Sequence, residues 1–272
     1  MNAPNTTLSD MSFCALDLET TGTNPVLHMI VEVGIIRFTL NDVTATCERL
    51  VYPGMTIPAE AVRIHGITDD MVRGAPRIGA LLPEISEILR DSVLVIQNPD
   101  FDLSFLAWAY QNNGVTPPEL TAVDTVRLSR LAFPDLANYK LETISRHLDI
   151  NIHHHRALAD ASACMGIFRH IMRKKDRDGT WRLSDLNRFH GNFFRMQRVN
   201  GKRIARSGKR INGIQLGEQV AISYVDQSGN MTFRLIIPRE FITSDGETYV
   251  LAHCCLRDET RYFKMNRIVE VR

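Results

Sequence analysis

The sequence has no hydrophobic run long enough to cross a membrane, since none of its apolar stretches approaches the roughly 18 to 20 residues of a spanning helix. Its first ten residues, MNAPNTTLSD, lack the basic and apolar regions of a signal peptide. Both absences predict a cytoplasmic protein without a membrane partner. No compositional bias is present, so the 272 residues are expected to form one large or two small globular domains.

Cysteine is scarce and scattered. An odd number of cysteines, without the paired spacing of a zinc site or the density of a disulfide scaffold, excludes both kinds of framework. We therefore expect reduced thiols that mostly fill the core. The five are Cys14, Cys47, Cys164, Cys254 and Cys255.

The net charge is only +1, but it is unevenly distributed. Residues 181–210 contain nine Lys or Arg and one Asp, a charge of +8, so the rest of the chain sums to −7. Such asymmetry indicates a polyanionic partner at this segment. A solvated basic linker is the alternative interpretation.

The first part of the chain alternates strand-like runs with helical patterns. Three β-leaning runs predict a meander, and the later strands are separated by amphipathic segments, so we predict an α/β domain with a mixed sheet covered by helices. The predicted strands are 12–19, 29–40, 43–53, 93–98 and a short one leading into Asp124, and the predicted helices are 78–92, 101–114, 139–150 and 156–175.

After the basic stretch the pattern changes to short alternating runs. The turn-forming stretches QSGN, SDGE and RDET separate these runs at hairpin spacing, which predicts a small all-β module. The predicted organisation is the α/β domain at 1–178, a basic connector at 179–212 and the β-module at 213–272.

Four carboxylates lie where strands meet helices or turns. Asp17 and Glu19 are two residues apart on a strand, so both project from one face, where they repel unless a cation lies between them. A solvated strand face is the alternative, which their apolar neighbours disfavour. Asp102 begins one helix and Asp160 lies near the start of another. Oxygen donors of this kind suit Mg²⁺ or Mn²⁺, and two such ions about 3.5 to 4 Å apart serve in-line displacement at phosphorus.

His155 precedes the last predicted helix of the domain. On a helix it would lie about 140° from Asp160, so we place it on the preceding loop, from which it can approach the carboxylates. Histidine titrates near neutral pH and is suited to accept a proton from an attacking water. His153 and His154 point in other directions, so one histidine of the three is expected at the site.

The motifs DLETTG (17–22), NPDFD (98–102) and HRALAD (155–160) resemble those of the DEDDh branch of the DnaQ-like 3′→5′ exonucleases, the group that includes the proofreading ε subunit of DNA polymerase III and RNase T. RIHGIT, GAP and VDT also fall where this family has them. The resemblance covers residues 12–172. It implies a ribonuclease-H-like fold and release of nucleoside monophosphates from a 3′ end.

The resemblance also implies roles for individual residues. Two metal ions would be held by Asp17, Glu19, Asp102 and Asp160, and His155 would be the general base. The residues matching positions around the terminal nucleotide are Thr20, Thr21, Gly22, His65 and Phe101. Phe101 could instead be core, His65 could cap the turn that follows it, and Asp124 is expected to cap a helix.

The expected partner is nucleic acid with a free 3′ end, and we predict single-stranded DNA. RNA tails or very short oligonucleotides are an alternative, because 2′-hydroxyl discrimination depends on pocket geometry. A nucleic-acid-sensing regulator with a silent nuclease is a further alternative.

The C-terminal module resembles a WYL domain, which implies a small Sm- or SH3-like β-barrel. Where the family name expects Trp-Tyr-Leu, this chain has Thr248, Tyr249 and Val250, so only the tyrosine remains. The residues that carry the resemblance are Tyr224, Pro238, Tyr249, Arg261, Phe263 and Arg267. It implies binding of nucleic acid or a regulatory ligand, with phosphate contacts from Arg257, Arg261 and Arg267. These arginines could instead pair with Asp258, Glu259 or Glu270. Nearby phenylalanines could stack on bases or form the apolar face of a linker helix, namely Phe189, Phe193 and Phe194.

Overall fold

The computed structural model describes residues 6–151, 156–205, 208–226 and 228–272. The chain divides into two compact units. The first takes in Met1–Thr23 and Met29–Arg198, and the second takes in Asn24–His28 and Val199–Arg272. Among the described residues, no helix is both long and apolar enough to cross a membrane.

A mixed sheet forms the centre of the first unit, which confirms the predicted α/β fold. Its strand order is β3-β2-β1-β4-β5-β6, in which β1 pairs parallel with β4 and β4 with β5, while the other pairs are antiparallel. The central strands are buried on both faces, because their sequences are almost continuously apolar. The strands are β1 (Phe13–Thr20), β2 (Ile30–Phe38), β3 (Val43–Leu50), β4 (Val93–Ile96), β5 (Thr121–Asp124) and β6 (Phe194–Arg195).

Helices cover both faces of this sheet. One core includes Leu16 of β1 with Leu82 and Leu106, and the other includes Phe13 with Ile167 and Phe168. A short 3-10 helix, Leu8–Asp10, precedes β1. The α-helices are α1 (Ala59–His65), α2 (Asp69–Val72), α3 (Ile78–Leu89), α4 (Pro99–Asn112), α5 (Thr125–Ala132), α6 (Leu141–His147), α7 (Ala157–Lys175) and α8 (Leu183–His190).

Several boundaries differ from the sequence prediction. Helix α4 begins two residues before Phe101, with Pro99 in its first turn, where the missing N–H costs nothing. Helices α1, α2, α5 and α8 were not predicted. They are four to eight residues long, shorter than the windows of about 11 to 18 residues over which apolar periodicity identifies a helix.

The residues expected to form a basic connector are largely part of the first unit. Leu186 of α8 is fully buried, and β6 pairs with β5 at the edge of the sheet. The two compact units therefore divide between residues 198 and 199, inside the segment 179–212 that was predicted as a connector. Phe189, Phe193 and Phe194 are half-buried against the two cores, which favours their structural role over base stacking.

The second unit is a small all-β module, as predicted. Its main sheet has the order β13-β12-β11-β10-β14, with β7 paired to the far end of β11, and β8 pairs with β9. Asp245 and Gly246 form the turn between β11 and β12 with φ values of 51° and 80°, as a tight hairpin requires. A 3-10 helix, Met265–Arg267, precedes the last strand. The strands are β7 (Gly201–Ile204), β8 (Arg210–Ile211), β9 (Ile214–Gln215), β10 (Val220–Val225), β11 (Met231–Ser244), β12 (Glu247–Cys254), β13 (Glu259–Lys264) and β14 (Ile268–Val271).

Within the second unit, the short segment Asn24–His28 is held by residues far along the chain. Arg203 donates to the Val26 carbonyl at 3.1 Å, and the Tyr262 hydroxyl donates to the Leu27 carbonyl. Residues 24–28 lie in the sequence between two parts of the first unit, yet they pack as part of the β-module.

The cysteines are all free thiols. Cys14, Cys47, Cys164 and Cys254 are buried, whereas Cys255 is exposed. The prediction of reduced residues that mostly fill the core agrees with these positions.

Candidate active site

Strand β1 places two carboxylates on one face of the sheet. Asp17 lies opposite Gly34 of β2, and Glu19 lies opposite Glu32. Their neighbours Ala15 and Phe13 share this face and contact the core under α7. The alternation of the strand therefore directs both carboxylates toward the start of α7.

Helix α7 supplies the third carboxylate. Asp160 lies in its first turn, is only 8% exposed, and donates its backbone N–H to the Arg156 carbonyl at 3.0 Å. One carboxylate oxygen from each of Asp17, Glu19 and Asp160 lies within 4.8 Å of the other two. Strand and helix thus bring together residues more than 140 positions apart in the sequence.

Asp102 enters from the start of α4. It is 3% exposed, and its Oδ1 atom has no hydrogen-bond partner within the described part of the chain. A buried carboxylate oxygen without a partner is costly unless a cation or proton satisfies it. Asp102 is not part of the 4.8 Å cluster, but its charge acts on Asp17.

The site strongly favours neutralisation of its carboxylates. Burial, followed by the charges of Asp102, Glu19, Asp160 and Glu32, raises the pKa of Asp17 well above its ordinary value. Burial, then the charges of Asp160 and Glu32, raises the pKa of Glu19 to about 7, while Arg156 opposes this shift. Burial also raises the pKa of Asp102. Divalent cations would relieve the same repulsion, and a set of oxygen donors fits Mg²⁺ or Mn²⁺.

The predicted general base, His155, lies outside the described residues, so its role stays a prediction. The residue that follows it, Arg156, is described and stands immediately before α7. Arg156 contacts the carboxylates of Glu32 and Glu48.

The turn after β1 is held by hydrogen bonds among its own residues. The Thr20 hydroxyl donates to the Gly22 carbonyl at 2.7 Å. The Thr21 backbone N–H donates to the Met29 carbonyl at 2.8 Å, and its hydroxyl accepts from the Met29 N–H at 2.9 Å. Both threonines are buried, so these hydrogen bonds hold the base of the turn that is predicted to face the nucleotide.

His65 and Phe101 have structural contacts of their own. His65 ends α1, is buried, and accepts from the Ile67 N–H through Nδ1 at 3.0 Å, so it caps the following turn. Phe101 is half-buried and packs on Phe105 with ring centroids 5.0 Å apart. Their contacts with a nucleotide stay predictions.

Asp124 caps a helix, as expected. Its side chain accepts from the Val126 N–H at 2.9 Å and from the Asn98 N–H at 3.1 Å. It therefore fixes the start of α5 and the left-handed Asn98 before α4, the helix that carries Asp102. Its backbone N–H donates to Nε2 of His190 at 2.9 Å, which holds α8 against the sheet.

Glu32 is a site residue that the sequence analysis missed. It is fully buried in β2 directly opposite Glu19. The available signal was a lone carboxylate inside the apolar run MIVEVGIIRF. Glu32 lies inside β2 and not at a junction between a strand and a helix or turn, so the pattern that identifies the other carboxylates does not include it.

In the second unit, Arg257 and Arg261 line one cavity of about 310 Å³ together with Arg234. Arg267 is not among its lining residues. Arg261 contacts Glu259 at 3.5 Å, while Glu270 is paired with Arg272. The remaining lining residues are Tyr224, Asp226, Thr232, Tyr262 and Phe263.

Residues 14–168 match the RNase_T family model, described as exonuclease, and residues 211–272 match the WYL domain model. The two family resemblances predicted from the sequence are confirmed by these matches.

Two relatives are PolC-type DNA polymerases III. The one from Caldanaerobacter subterraneus subsp. tengcongensis is 35% identical over 176 residues, covering 64% of this chain and 12% of the polymerase. The one from Halalkalibacterium halodurans is 32% identical over 204 residues, covering 72% of this chain and 14% of the polymerase. The chain thus spans a small part of the length of the curated relatives it matches.

Solved structures of exonucleases share the fold. Exonuclease X in complex with 5′ overhanging duplex DNA has a TM-score of 0.53 at 23% identity, covering 66% of this chain and 99% of its own. E. coli exonuclease I in complex with a dT13 oligonucleotide has a TM-score of 0.56 at 17% identity, with coverages of 84% and 52%. A 3′-exonuclease that recognises a histone mRNA stem-loop has a TM-score of 0.52 at 14% identity, with coverages of 60% and 64%.

Proposed function

Because this chain belongs to the exonuclease family, we propose that it is a metal-dependent 3′→5′ exonuclease that releases nucleoside monophosphates. The observation that carries the proposal is the convergence of Asp17, Glu19 and Asp160 within 4.8 Å, together with a buried oxygen of Asp102 that has no hydrogen-bond partner among the described residues. A structural role alone gives no reason to bury mutually repelling carboxylates.

The four carboxylates would hold two divalent cations, Mg²⁺ or Mn²⁺. Bound there, the cations would polarise the terminal phosphodiester and stabilise the charge that develops on it. Burial, and after it the charges of neighbouring carboxylates, raises the pKa of Asp17 and of Glu19, and bound cations would relieve the repulsion among these carboxylates. The carboxylates would thus contribute to catalysis by holding the cations at positions set by β1, α4 and α7.

His155 would accept the proton of the attacking water as the water oxygen bonds to phosphorus. The bond from phosphorus to the 3′ oxygen of the penultimate nucleotide breaks, and that oxygen leaves with the shortened strand. Thr20, Thr21 and Gly22 would approach the terminal nucleotide through their fixed turn, and Phe101 would contact its base. His65 would support this pocket from the end of α1.

Single-stranded DNA is the proposed substrate class. Exonuclease I with dT13 and exonuclease X with overhanging duplex DNA support a DNA substrate, since both share this fold. RNA is the second candidate, favoured by the neighbour that recognises a histone mRNA stem-loop.

The WYL domain would bind a phosphate-bearing group in the cavity formed by Arg234, Arg257 and Arg261. Guanidinium groups pair well with phosphate oxygens. The group would be either a phosphate of the nucleic acid strand or a regulatory ligand. In the second case the protein would act as a sensor whose nuclease is silent until the ligand binds.

The test uses matched 5′-labelled single-stranded DNA, duplex DNA and RNA, each with Mg²⁺, Mn²⁺ or EDTA. We expect a ladder that shortens from the 3′ end, only with metal, and none with Asp17→Asn. Asp178→Asn, an exposed substitution beyond the far end of α7, is the matched control and should behave as wild type. Full activity of Asp17→Asn would contradict the site assignment, and a preference among the strands identifies the substrate.

A further inference from the structure

Glu32 occupies an unusual position for a charged residue. It lies on β2 between Val31 and Val33, and all three side chains are fully buried. Burying a carboxylate costs free energy unless it is paired and hydrogen-bonded. Its place in the fold therefore depends on the groups it meets.

Those groups are at the start of α7. The Glu32 carboxylate accepts from Nε of Arg156 at 2.9 and 3.2 Å and from Nη2 of Arg156 at 2.5 Å. It also accepts from the backbone N–H of Ala157 at 2.9 Å, the first residue of the helix. The side chain of Arg156, at the N-cap position, accepts no hydrogen bond from the first turn of α7. Glu32 on the sheet therefore provides the acceptor for a free backbone N–H that a local capping residue would otherwise provide.

Gly34 makes this approach possible. It lies two residues after Glu32 on the same face of β2, and a β-carbon there would be 2.2 Å from the Ala157 carbonyl carbon and 2.3 Å from the Leu158 nitrogen. The first turn of α7 therefore rests directly on the backbone of β2.

This contact lies one helical turn from the metal site. The first hydrogen bond of α7 runs from the Asp160 N–H to the Arg156 carbonyl, at 3.0 Å. Glu32 thus anchors the residue on which the placement of Asp160 depends. Its cross-strand partner is Glu19, another member of the acidic cluster.

We propose that the Glu32–Arg156 pair is a positioning device that sets Asp160 against Asp17 and Glu19 for metal binding. This role rests on the proposed metal site, and Glu32 itself binds neither metal nor substrate. Partners one step removed from a metal typically change its affinity by about 10- to 100-fold when mutated.

The test is a double-mutant cycle on the full chain, read by Mn²⁺ titration calorimetry without nucleic acid. Glu32→Gln is expected to weaken Mn²⁺ binding by about tenfold or more. If it acts through Asp160, the loss from Glu32→Gln should vanish in an Asp160→Asn background. Unchanged affinity in Glu32→Gln, or losses that add in the double variant, would overturn the proposal.

Two further variants sharpen the result. Glu84 forms an ion pair with Arg49 of β3, with a nitrogen–oxygen distance of 2.7 Å, on the other face of the same sheet. Glu84→Gln removes the charge of this carboxylate and should leave Mn²⁺ affinity unchanged. Arg156→Lys keeps the charge but loses the planar fork, so it should also weaken Mn²⁺ binding. If near-UV circular dichroism shows that Glu32→Gln is unfolded, Arg156→Lys replaces it in the Mn²⁺ titration. Wild-type Mn²⁺ affinity in Arg156→Lys would then overturn the proposal.

Failure of the proposed function is separable from failure of this inference. A wild-type protein that degrades no nucleic acid, yet loses Mn²⁺ affinity on Glu32→Gln, would contradict the nuclease proposal alone. A wild-type protein that degrades nucleic acid, while Glu32→Gln binds Mn²⁺ equally well, would contradict the positioning role alone.

Discussion

Asp17 and Gly34 face each other across β1 and β2, and the missing side chain of Gly34 leaves the space in which α7 begins. Gly34, the residue opposite Asp17, thus determines how near the helix that carries Asp160 can approach the sheet. The distance between β2 and the start of α7 is therefore set by a close contact between their backbones and not by side chains.

Gly34→Ala is therefore expected to push α7 away from the sheet. Overpacking of this kind costs about 1–3 kcal/mol, so the free energy of unfolding should fall by that amount in urea titrations. Nuclease activity should fall by more than the loss of folded protein accounts for, because Asp160 moves with the helix. Gly74→Ala is the control, since a β-carbon there meets nothing within 4 Å, and an equal loss of activity in both variants would contradict this explanation.

Asp102→Asn should abolish nuclease activity without lowering the stability of the metal-free protein. The substitution removes a buried charge whose Oδ1 atom has no partner in the described structure. We expect a gain of about 1 kcal/mol or more in unfolding free energy, measured by thermal melting in EDTA. A large destabilisation with activity retained would show that Asp102 is structural.

The pH dependence of stability follows from the pKa of Glu19, which is raised from its ordinary 4.5 to about 7 in the folded protein. Between these values the folded state binds more protons than the unfolded state, so metal-free stability is highest below the lower value and is lost as pH rises through 7. The shift corresponds to at most about 3 kcal/mol.

In EDTA, the free energy of unfolding should therefore decrease as the pH rises from about 5 to 8, and this decrease should be smaller in Glu19→Gln. Glu142→Gln, which changes an exposed pair with Arg146, should keep the wild-type slope. Identical slopes for wild type and Glu19→Gln would contradict the raised pKa of Glu19. Added Mn²⁺ should stabilise the wild type most at the higher pH.

Arg203 should contribute to stability rather than to nucleic-acid binding. It is one of the nine basic residues in 181–210, yet its side chain is 8% exposed and its guanidinium lies 2.5 Å from the Glu240 carboxylate. Arg203→Gln leaves Glu240 without this partner and should destabilise the protein by about 3–5 kcal/mol. Retained stability with reduced DNA affinity would reverse this assignment.

Arg257, in contrast, is exposed at the cavity of the WYL domain. If it contacts a strand phosphate, Arg257→Gln should reduce the slope of log affinity against log salt by about one for an oligonucleotide. Arg239→Gln, an exposed arginine outside that cavity, is the control. An unchanged slope in Arg257→Gln would favour a small regulatory ligand.

The carboxylates could be predicted because their placement is local. Strand alternation puts Asp17 and Glu19 on one face, a helix that begins directly after a strand carries Asp102, and the first turn of a later helix carries Asp160. The general base was predicted by the same reasoning, but His155 lies outside the described residues. Strands β1 to β5, four of the eight described α-helices (α3, α4, α6 and α7) and the separate β-module followed from hydrophobic periodicity.

The partner of Glu32 could not be predicted, since Arg156 lies 124 residues further along the chain. The same holds for Arg203 with Glu240, and for the membership of Asn24–His28 in the β-module. The basic composition of 181–210 suggested a linker, but composition does not show that Leu186 is buried or that Phe194 joins the sheet.

The sequence by itself determined which chemical groups are present and which faces of their strands and helices they occupy, because both depend on local periodicity. Only the tertiary structure decided which of those groups meet. Burial of Glu32 under α7, and the absence of a side chain at Gly34, set distances between segments that are remote in the sequence. Those distances arise from close packing of the whole domain, which no local pattern encodes.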